Sequence, residues 1–167
     1  MTLTASELAD RAEITGLVSR YFSTVDDKRL DRAVVEAVFC PGGRLVRPNG
    51  AALTGPEAIA AGQNESFARF RATHHVSSDY VFDLDGDTAR LRANMIAMHL
   101  WADTERDPNA LQTHFVAGGV LRALAVRTGQ GWRLSELALH NTWRTGTGFA
   151  AVLATGRQAA ASLTAAS

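Results

Sequence analysis

The sequence predicts an α+β fold in which a curved, mostly antiparallel sheet wraps around three N-terminal helices. Apolar residues recur at helical spacing through the first 70 residues, whereas apolar and polar residues alternate from Thr73 onward. The links between the later segments are turn-like, which is typical of hairpins. Helices followed by strands favour a helix layer on one face of a sheet. A strongly bent sheet and its helices then enclose a cone, whose open end forms a pocket.

The first helix is predicted from a capping box and an apolar stripe. Thr4 is placed to cap the first turn, and Glu7 follows three residues later. The stripe has the spacing of one buried helix face. It comprises Leu8, Ile14, Leu17, Val18, Tyr21, Phe22 and Val25. These residues predict one long helix over about 3–27.

Two shorter helices are predicted before the sheet. The second covers 30–39 and ends where Pro41 and two glycines follow, because these residues do not continue a helix. Asp27 is the predicted cap of this helix. The third begins at 54 with Pro56 in its first turn and runs to 71.

The strands are predicted from period-2 alternation. A short strand is expected at 44–48, followed by an Asn-Gly turn. Four longer strands are expected at 74–84, 88–101, 113–127 and 131–144. Residues 1–147 form the predicted domain, and 148–167 an Ala-rich tail that is a short helix or disordered.

Composition narrows the classes of partner. The 167 residues include 17 Lys+Arg and 17 Asp+Glu, so the formal net charge is zero. Neutrality argues against nucleic-acid and membrane surfaces and favours a small ligand and self-association, predicted as a homodimer. Cys40 is the single cysteine, so no intrachain disulfide is expected, which suits the cytoplasm. The N-terminus does not have the pattern of a signal peptide, and no metal-binding motif is recognised.

Two histidines are candidates for chemistry. On an alternating strand, His75 shares a face with Ser77 and Asp79, and an inward imidazole requires a partner. Asp26, near the end of the first helix, is the predicted partner, since a carboxylate fixes the tautomer of a histidine and raises its pKa. That tuning suits general acid–base catalysis, although such a pair can also simply anchor a helix to a sheet.

His99 is the second candidate because its strand face is apolar with small residues. Ala93 and Ala97 on that face leave room for a ligand, so His99 is expected beside a cavity. His74 is expected on the opposite face of its strand, in a structural role. His114 and His140 remain open candidates for the cone mouth.

Four segments carry a resemblance to a known family. They are "RYFSTVDDKRLD", "ATHHVSS", "LDGDTARLRA" and "GQGWRLSEL". In this order they resemble the SnoaL-like branch of the nuclear transport factor 2 superfamily over about residues 5–146. That superfamily includes scytalone dehydratase, ketosteroid isomerase and polyketide cyclases with a cone-shaped α+β fold, and its members host many chemistries.

The resemblance implies a catalytic set. Asp26 follows Tyr21 with the family's Tyr-x-x-x-x-Asp spacing, and His75 and His99 match its two histidines. The sequence departs from the family where a Tyr usually follows the Gly-Gly of the third long strand, because Leu121 stands there. The predicted substrate contacts are Tyr21, Met95, Phe115, Leu121 and Trp143.

Three functions follow from these residues. The first is a cofactor-independent lyase or isomerase acting on a small cyclic, polyketide- or terpenoid-like substrate of secondary metabolism, with His75 as base and His99 donating a proton or polarising an oxygen. The second is a binding module with the same fold. The third is an epoxide hydrolase using Asp79 with Arg92 or Arg122.

Overall fold

Three helices and six strands make up the part of the chain that the structure, a computed structural model, describes: residues 2–102 and 114–148. The helices are α1 (Ala5–Asp26), α2 (Arg32–Val38) and α3 (Pro56–Phe67). The strands are β1 (Phe39–Val46), β2 (Ala52–Thr54), β3 (Phe70–Asp85), β4 (Thr88–Trp101), β5 (His114–Thr128) and β6 (Gly131–Gly146).

The six strands form one sheet in the order β2-β1-β6-β5-β4-β3. All neighbouring strands are antiparallel except β1 and β6, which run parallel. The sheet is curved and open, and the predicted fold class is confirmed. Apolar residues from all three helices pack with the inner face of the long strands in one core. The outer face of the long strands carries most of the exposed side chains.

The stripe predicted for α1 is buried except at Leu8, which is 54% exposed. The predicted capping box is present, because the hydroxyl of Thr4 accepts from the Glu7 backbone N–H and the Glu7 carboxylate accepts in return. The first turns of α1 contact β6 through polar groups instead of apolar ones. Trp132 donates its indole N–H to Asp10 at 3.0 Å. The helix therefore enters the core only further along.

The second helix is shorter than predicted. It begins at Arg32, and its cap is Asp31, whose carboxylate accepts the N–H of Val34 at 2.8 Å. The prediction that Asp27 caps α2 is therefore wrong: Asp27 is the C-terminal cap of α1. Pro41 lies inside β1, at an irregularity in its pairing with β6, where a missing N–H does not interrupt the ladder.

The third helix ends at Phe67 and β3 begins at Phe70, so this strand starts four residues before the predicted 74. The Asn-Gly turn forms as predicted, and the short β2, which the sequence did not predict, follows it. The predicted tail beyond residue 148 lies outside the described residues. Within 2–102 and 114–148, none of the helices combines the length and apolarity that crossing a membrane requires.

Candidate active site

Asp26 is the last residue of α1, and its position is set by how that helix ends. Asp27 follows as the C-terminal cap, and Lys28 adopts a left-handed backbone conformation with φ of 55° that turns the chain away. The C-terminal end of a helix carries partial negative charge, which disfavours a carboxylate. Asp26 therefore requires hydrogen-bond donors from a neighbouring element.

Strand β3 supplies those donors. Thr73 donates its hydroxyl to Asp26 Oδ1 at 2.8 Å, and the backbone N–H of His75 donates to Oδ2 at 2.8 Å. His75 Nδ1 lies 2.6 Å from Oδ1. Thr73 and His75 face the same way because they are two residues apart on a strand. Sequence reasoning missed Thr73, although this spacing was the signal that could have found it.

The Asp26 carboxylate orders and polarises His75. Burial raises the pKa of Asp26, but the hydrogen bonds and charge of His75 together with the Thr73 hydroxyl outweigh it, so the net pKa is lowered. An ionised carboxylate only accepts hydrogen bonds, so Nδ1 carries the proton and the Nε2 of the neutral ring holds a lone pair. The side chains of His75 and Asp26 are only 4% and 16% exposed.

His99 lies beside this pair in a different environment. Its residue on β4 is opposite Thr73, and its ring centroid lies 5.7 Å from that of His75 with the rings nearly perpendicular. His99 is 8% exposed, and its buried Nδ1 makes no hydrogen bond. Burial, and then the charge that His75 can carry, lower the pKa of His99 to about 3. His99 is therefore neutral at physiological pH.

Aromatic rings stack on both imidazoles. Phe22 of α1 stacks on His75 with centroids 4.9 Å apart, and Phe115 of β5 stacks on His99 at 4.2 Å. The predicted substrate contact Phe115 thus lies at the candidate site. These rings lower the local dielectric, which strengthens the electrostatic interactions of the site.

Phe67 and Phe70 complete the aromatic surroundings. The ring of Phe67 lies 5.8 Å from that of His75 and 6.0 Å from that of His99, and Phe70 lies 4.8 Å from His99. Phe67 also lines a pocket of about 80 Å³. The other lining side chains include Val25, Lys28, Leu30, Gln63 and Asn64. Both residues lie within the span 54–71 that the sequence predicts as the third helix, and the sequence pattern alone did not place them at the histidines.

Three other predicted substrate contacts belong to the hydrophobic core. Tyr21, Met95 and Leu121 are between 0% and 4% exposed. Burial raises the pKa of Tyr21, and its hydroxyl accepts a hydrogen bond from Gln63 Nε2 at 2.7 Å. Met95 is paired with Ser77 on the inner face of the sheet. These side chains are part of the core that packs the helices against the inner face of the sheet.

Trp143, a predicted substrate contact, lies on the face of the sheet away from His75 and His99. The register between β5 and β6 shifts, so that Gly119 pairs with Asn141 but Gly118 pairs with Trp143. Thr142 is therefore an extra residue, which moves Trp143 to the outer face. Its indole lies over Gly118, where an added Cβ would come within 2.1 Å of the ring, and Trp143 is 49% exposed.

A similar irregularity on β3 corrects the predicted faces of that strand. Asp79 has a left-handed φ of 55°, and the pairing with β4 shifts between Ser78 and Val81. Tyr80 therefore lies on the inner face with Ser77, and their hydroxyl oxygens are 2.6 Å apart. This hydroxyl pair adds polar groups further along the concave surface.

The same bulge removes Asp79 from the interior. Its carboxylate accepts from Asn94 Nδ2 at 2.8 Å on the outer face. Arg92 and Arg122 pair with each other across β4 and β5 on that outer face. The carboxylate–arginine set required for an epoxide hydrolase inside the cone is therefore not formed by these residues.

The remaining histidines lie away from the pair. His74 and His140 are exposed, and His114 lies on the face of β5 opposite to that of Phe115. Within the described ranges, no group of three or more histidine, cysteine, aspartate or glutamate side chains is arranged to hold a metal ion.

Comparisons with known proteins place the sequence in a family. The sequence profile of the SnoaL-like domain matches residues 6–138. A search of curated proteins finds no match to the sequence. Among solved structures, the Kfla4162 protein from Kribbella flavida is 28% identical, with 81% of this chain and 93% of that chain covered and a TM-score of 0.71.

Two other solved structures share the fold at lower identity. A candidate scytalone dehydratase from Novosphingobium aromaticivorans is 19% identical, with 87% of this chain and 93% of that chain covered and a TM-score of 0.71. The hexachlorocyclohexane dehydrochlorinase LinA-type3 from Novosphingobium barchaimii is 15% identical, with 84% of this chain and 92% of that chain covered and a TM-score of 0.70. At these identities the likeness concerns the fold.

Proposed function

We propose, on the premise that this chain belongs to the SnoaL-like domain family, that it is a cofactor-independent lyase or isomerase that works by general acid–base catalysis. The observation that carries the proposal is the ordered pair of Asp26 and His75 beside the neutral, buried His99. Acid–base chemistry requires a base with a defined tautomer and a second group that stabilises developing charge. Asp26, His75 and His99 supply these parts.

His75 is the base in this proposal. With Nδ1–H held by Asp26, the free lone pair on Nε2 removes a proton from a carbon next to a carbonyl group. The carboxylate then stabilises the imidazolium that forms, as ionised aspartates do beside catalytic histidines. Asp26 is thus a positioning residue whose charge favours proton transfer.

His99 binds the carbonyl oxygen in this proposal. Because its pKa is lowered to about 3, it acts as a neutral hydrogen-bond donor and does not supply a full proton. The electrons of the broken C–H bond form an enolate, whose oxygen accepts the hydrogen bond from the His99 ring. His75 then returns its proton, either to another carbon, which shifts the double bond, or to a leaving hydroxyl, which departs as water.

The named relatives support elimination chemistry. A dehydratase removes water, and a dehydrochlorinase removes hydrogen chloride, so both names describe loss of a proton and a neighbouring leaving group. The stacked aromatic rings around the histidines favour a flat, apolar ring compound. We propose a small cyclic polyketide- or terpenoid-like substrate of secondary metabolism.

Deuterium exchange tests the proposal without knowledge of the natural substrate. The protein is incubated with 1-tetralone in D₂O, and NMR follows deuterium incorporation at the carbon next to the carbonyl. The wild type should accelerate the exchange, and the His75→Gln variant should not. His74→Gln, which changes the exposed neighbour, is the matched control. Equal rates in the wild type and His75→Gln would contradict the assignment.

A binding module remains the second candidate, because the ring of Phe67 lies against both histidines and could keep a bound ring compound away from them. A binder would take up a ring compound without exchange of its protons. The same NMR samples separate the two functions. Broadening of the ligand NMR lines shows binding. Binding without protein-dependent deuterium incorporation, in the wild type as in His75→Gln, would favour the binding module.

We also propose that the chain forms a homodimer through the outer face of its sheet. Exposed apolar side chains gather there: Val76, Ile96, Met98, Leu124 and Trp143. Apolar surface of this kind marks interaction sites, and zero net charge does not oppose self-association. Light scattering on the wild type and on Ile96→Lys measures the oligomer directly. A monomeric wild type would refute the proposal.

The cytoplasmic location and the division at residue 147 also stand as proposals. The single cysteine, Cys40, suits a reducing compartment. A protein shortened after residue 147 should keep the thermal stability and exchange activity of the full chain if 148–167 is an appended tail. Loss of either property would place part of the tail in the functional domain.

A further inference from the structure

Phe67 lies where two spaces of the protein meet. It is the last residue of α3, and its ring contacts both imidazoles, with centroids 5.8 Å from His75 and 6.0 Å from His99. The same residue lines the pocket formed with Val25 and Lys28. One aromatic ring is therefore a wall of the pocket and a cover over the histidines.

The pocket is too small for a ring compound, and the histidines are covered, while Phe67 stays in this position. A cavity that holds one benzene molecule measures about 150 Å³, and ligand pockets about 300–1,000 Å³. The pocket beside Phe67 has about 80 Å³. His75 and His99 are themselves buried under aromatic rings. A substrate that reaches the histidines must displace a neighbouring ring.

Phe67 is better placed to move than the other rings of the site. Phe115 extends from β5, which pairs with β4 and β6, and Phe70 pairs with Trp101 at the start of β3; both are 4% exposed, whereas Phe67 lies outside the sheet. Phe67 is only partly buried and lies at the end of a helix. Helix ends and the turns after them open at lower free-energy cost than paired strands.

We propose that Phe67 is the access- and specificity-determining residue of this protein: its ring swings aside to join the histidine site to the pocket of Val25, Lys28, Leu30, Gln63 and Asn64. The joined space accepts a ring compound whose reacting carbon lies at His75 and whose far end lies among the polar side chains of the pocket. The nature of this occupant rests on the proposed function, whereas the covering of His99 by Phe67 does not.

The polar side chains of the pocket favour an oxygen at that far end. Lys28 donates one N–H to the carbonyl of Phe70, and an ammonium carries three donors. Asn64 is fixed by donating to the carbonyl of Leu30 at 2.8 Å. An oxygen-bearing ring compound therefore suits the joined space better than a pure hydrocarbon.

Chemical modification of histidine tests the cover without any substrate. Diethyl pyrocarbonate transfers its ethoxycarbonyl group to a neutral, accessible imidazole nitrogen, and mass spectrometry of peptides measures the rate at each histidine. At pH 6 His99 is neutral, so its rate reports access. Exposed His74 and His140 serve as references within the same sample.

The wild type should protect His99 while both reference histidines react. Phe67→Ala should raise the His99 rate at least about tenfold, and Phe67→Trp should leave it protected. Phe82→Ala is the matched control, because Phe82 lies on the inner face but contacts Tyr80 and Arg11. If Phe67→Ala does not fold, Phe67→Leu replaces it.

Three results would overturn the proposal. They are rapid modification of His99 in the wild type, continued protection in the shortened Phe67 variant, and equal deprotection by Phe82→Ala, which would indicate general loosening. If Phe67→Ala exposes His99 but the wild type does not catalyse tetralone exchange, the role of Phe67 as a cover is supported and the proposed enzymatic function is refuted. If the wild type catalyses tetralone exchange but the Phe67 variants leave the modification rate of His99 unchanged, the enzymatic function is supported and the role of Phe67 is refuted.

Discussion

His75 and His99 are neighbours on adjacent strands, with ring centroids 5.7 Å apart, but their partners differ. His75 shares a short hydrogen bond with the carboxylate of Asp26. His99 has a buried Nδ1 without a hydrogen bond and aromatic rings on its faces. The Asp26 carboxylate fixes the orientation of the His75 ring, whereas burial among apolar rings keeps His99 neutral. The surroundings therefore give the two histidines different properties, which the proposed function uses as a base and a neutral hydrogen-bond donor.

Removing the base tests this comparison most severely. We expect His75→Gln to reduce the exchange rate of 1-tetralone by about 10,000-fold, because the group that accepts the proton is lost. His74→Gln should retain the wild-type rate, since His74 is exposed on the other face of β3. If both variants keep the wild-type rate, proton abstraction does not occur at His75.

Neutralising the partner is the next largest change. Asp26→Asn keeps the size of the side chain but removes the charge that fixes the His75 tautomer, so we expect a loss of about 1,000-fold in exchange rate. Circular dichroism should show an intact fold. A loss below tenfold would mean that the carboxylate serves mainly to attach α1 to β3.

The same variant has a defined dependence on pH. The pKa of Asp26 is lower in the folded protein than in the unfolded chain, so the folded state gains stability once the carboxylate is ionised. This contribution is present above the unfolded pKa and is lost as the pH falls through the folded pKa. We therefore expect urea denaturation to show that Asp26→Asn costs stability at pH 7 and progressively less below about pH 4.

His99 should behave oppositely to a paired histidine. Its pKa of about 3 lies below that of an unfolded histidine, so the unfolded chain binds a proton that the folded protein does not. The wild type should lose about 1.4 kcal/mol of stability per pH unit from His99 as the pH falls from about 6 to 4. His99→Leu should remove this slope, and His140→Leu, at an exposed position, should not.

The same His99→Leu variant tests the proposed hydrogen bond to the carbonyl oxygen. Loss of one such donor should reduce the tetralone exchange rate about 100-fold, less than loss of the base. NMR of the wild type should show no titration of the His99 ring between pH 5 and 8. A ring that titrates near pH 6.5 would remove the contrast between the two histidines.

The sequence was sufficient to predict Asp26, His75 and His99 as site residues, but not the side chains that surround the two histidines. Asp26 and His75 follow from helix spacing, strand alternation and the family resemblance, because helices and strands fix the direction of side chains. The bulges at Asp79 and Thr142 carry no glycine signal, yet each one turns the following residues to the opposite face. This is why Asp79 was expected on the face of His75 and Trp143 at the substrate, although both lie on the outer face.

The electrostatic state of His99 also depends on contacts that are distant in sequence. Its isolation arises from Phe67, Phe70 and Phe115, which come from a helix and two strands. An alternating pattern places His99 on the inner face, but only the tertiary packing shows that its Nδ1 lacks a partner. In the proposed function, His99 is therefore a hydrogen-bond donor to an oxygen and does not transfer its proton.

Thr73 gives the smallest expected effect and links both histidines. It pairs with His99 across the sheet, and its hydroxyl donates to the Oδ1 atom of Asp26 that His75 also contacts. Thr73→Val keeps the shape but leaves Oδ1 with one donor fewer, which should cost about 1 kcal/mol of stability and lower the tetralone exchange rate about fivefold. Thr73→Ser should restore both values, since it keeps the hydroxyl. The valine variant could instead match the wild type while Asp26→Asn is impaired. In that case the two hydrogen bonds from His75, through its backbone N–H and its ring, are sufficient to orient the Asp26 carboxylate.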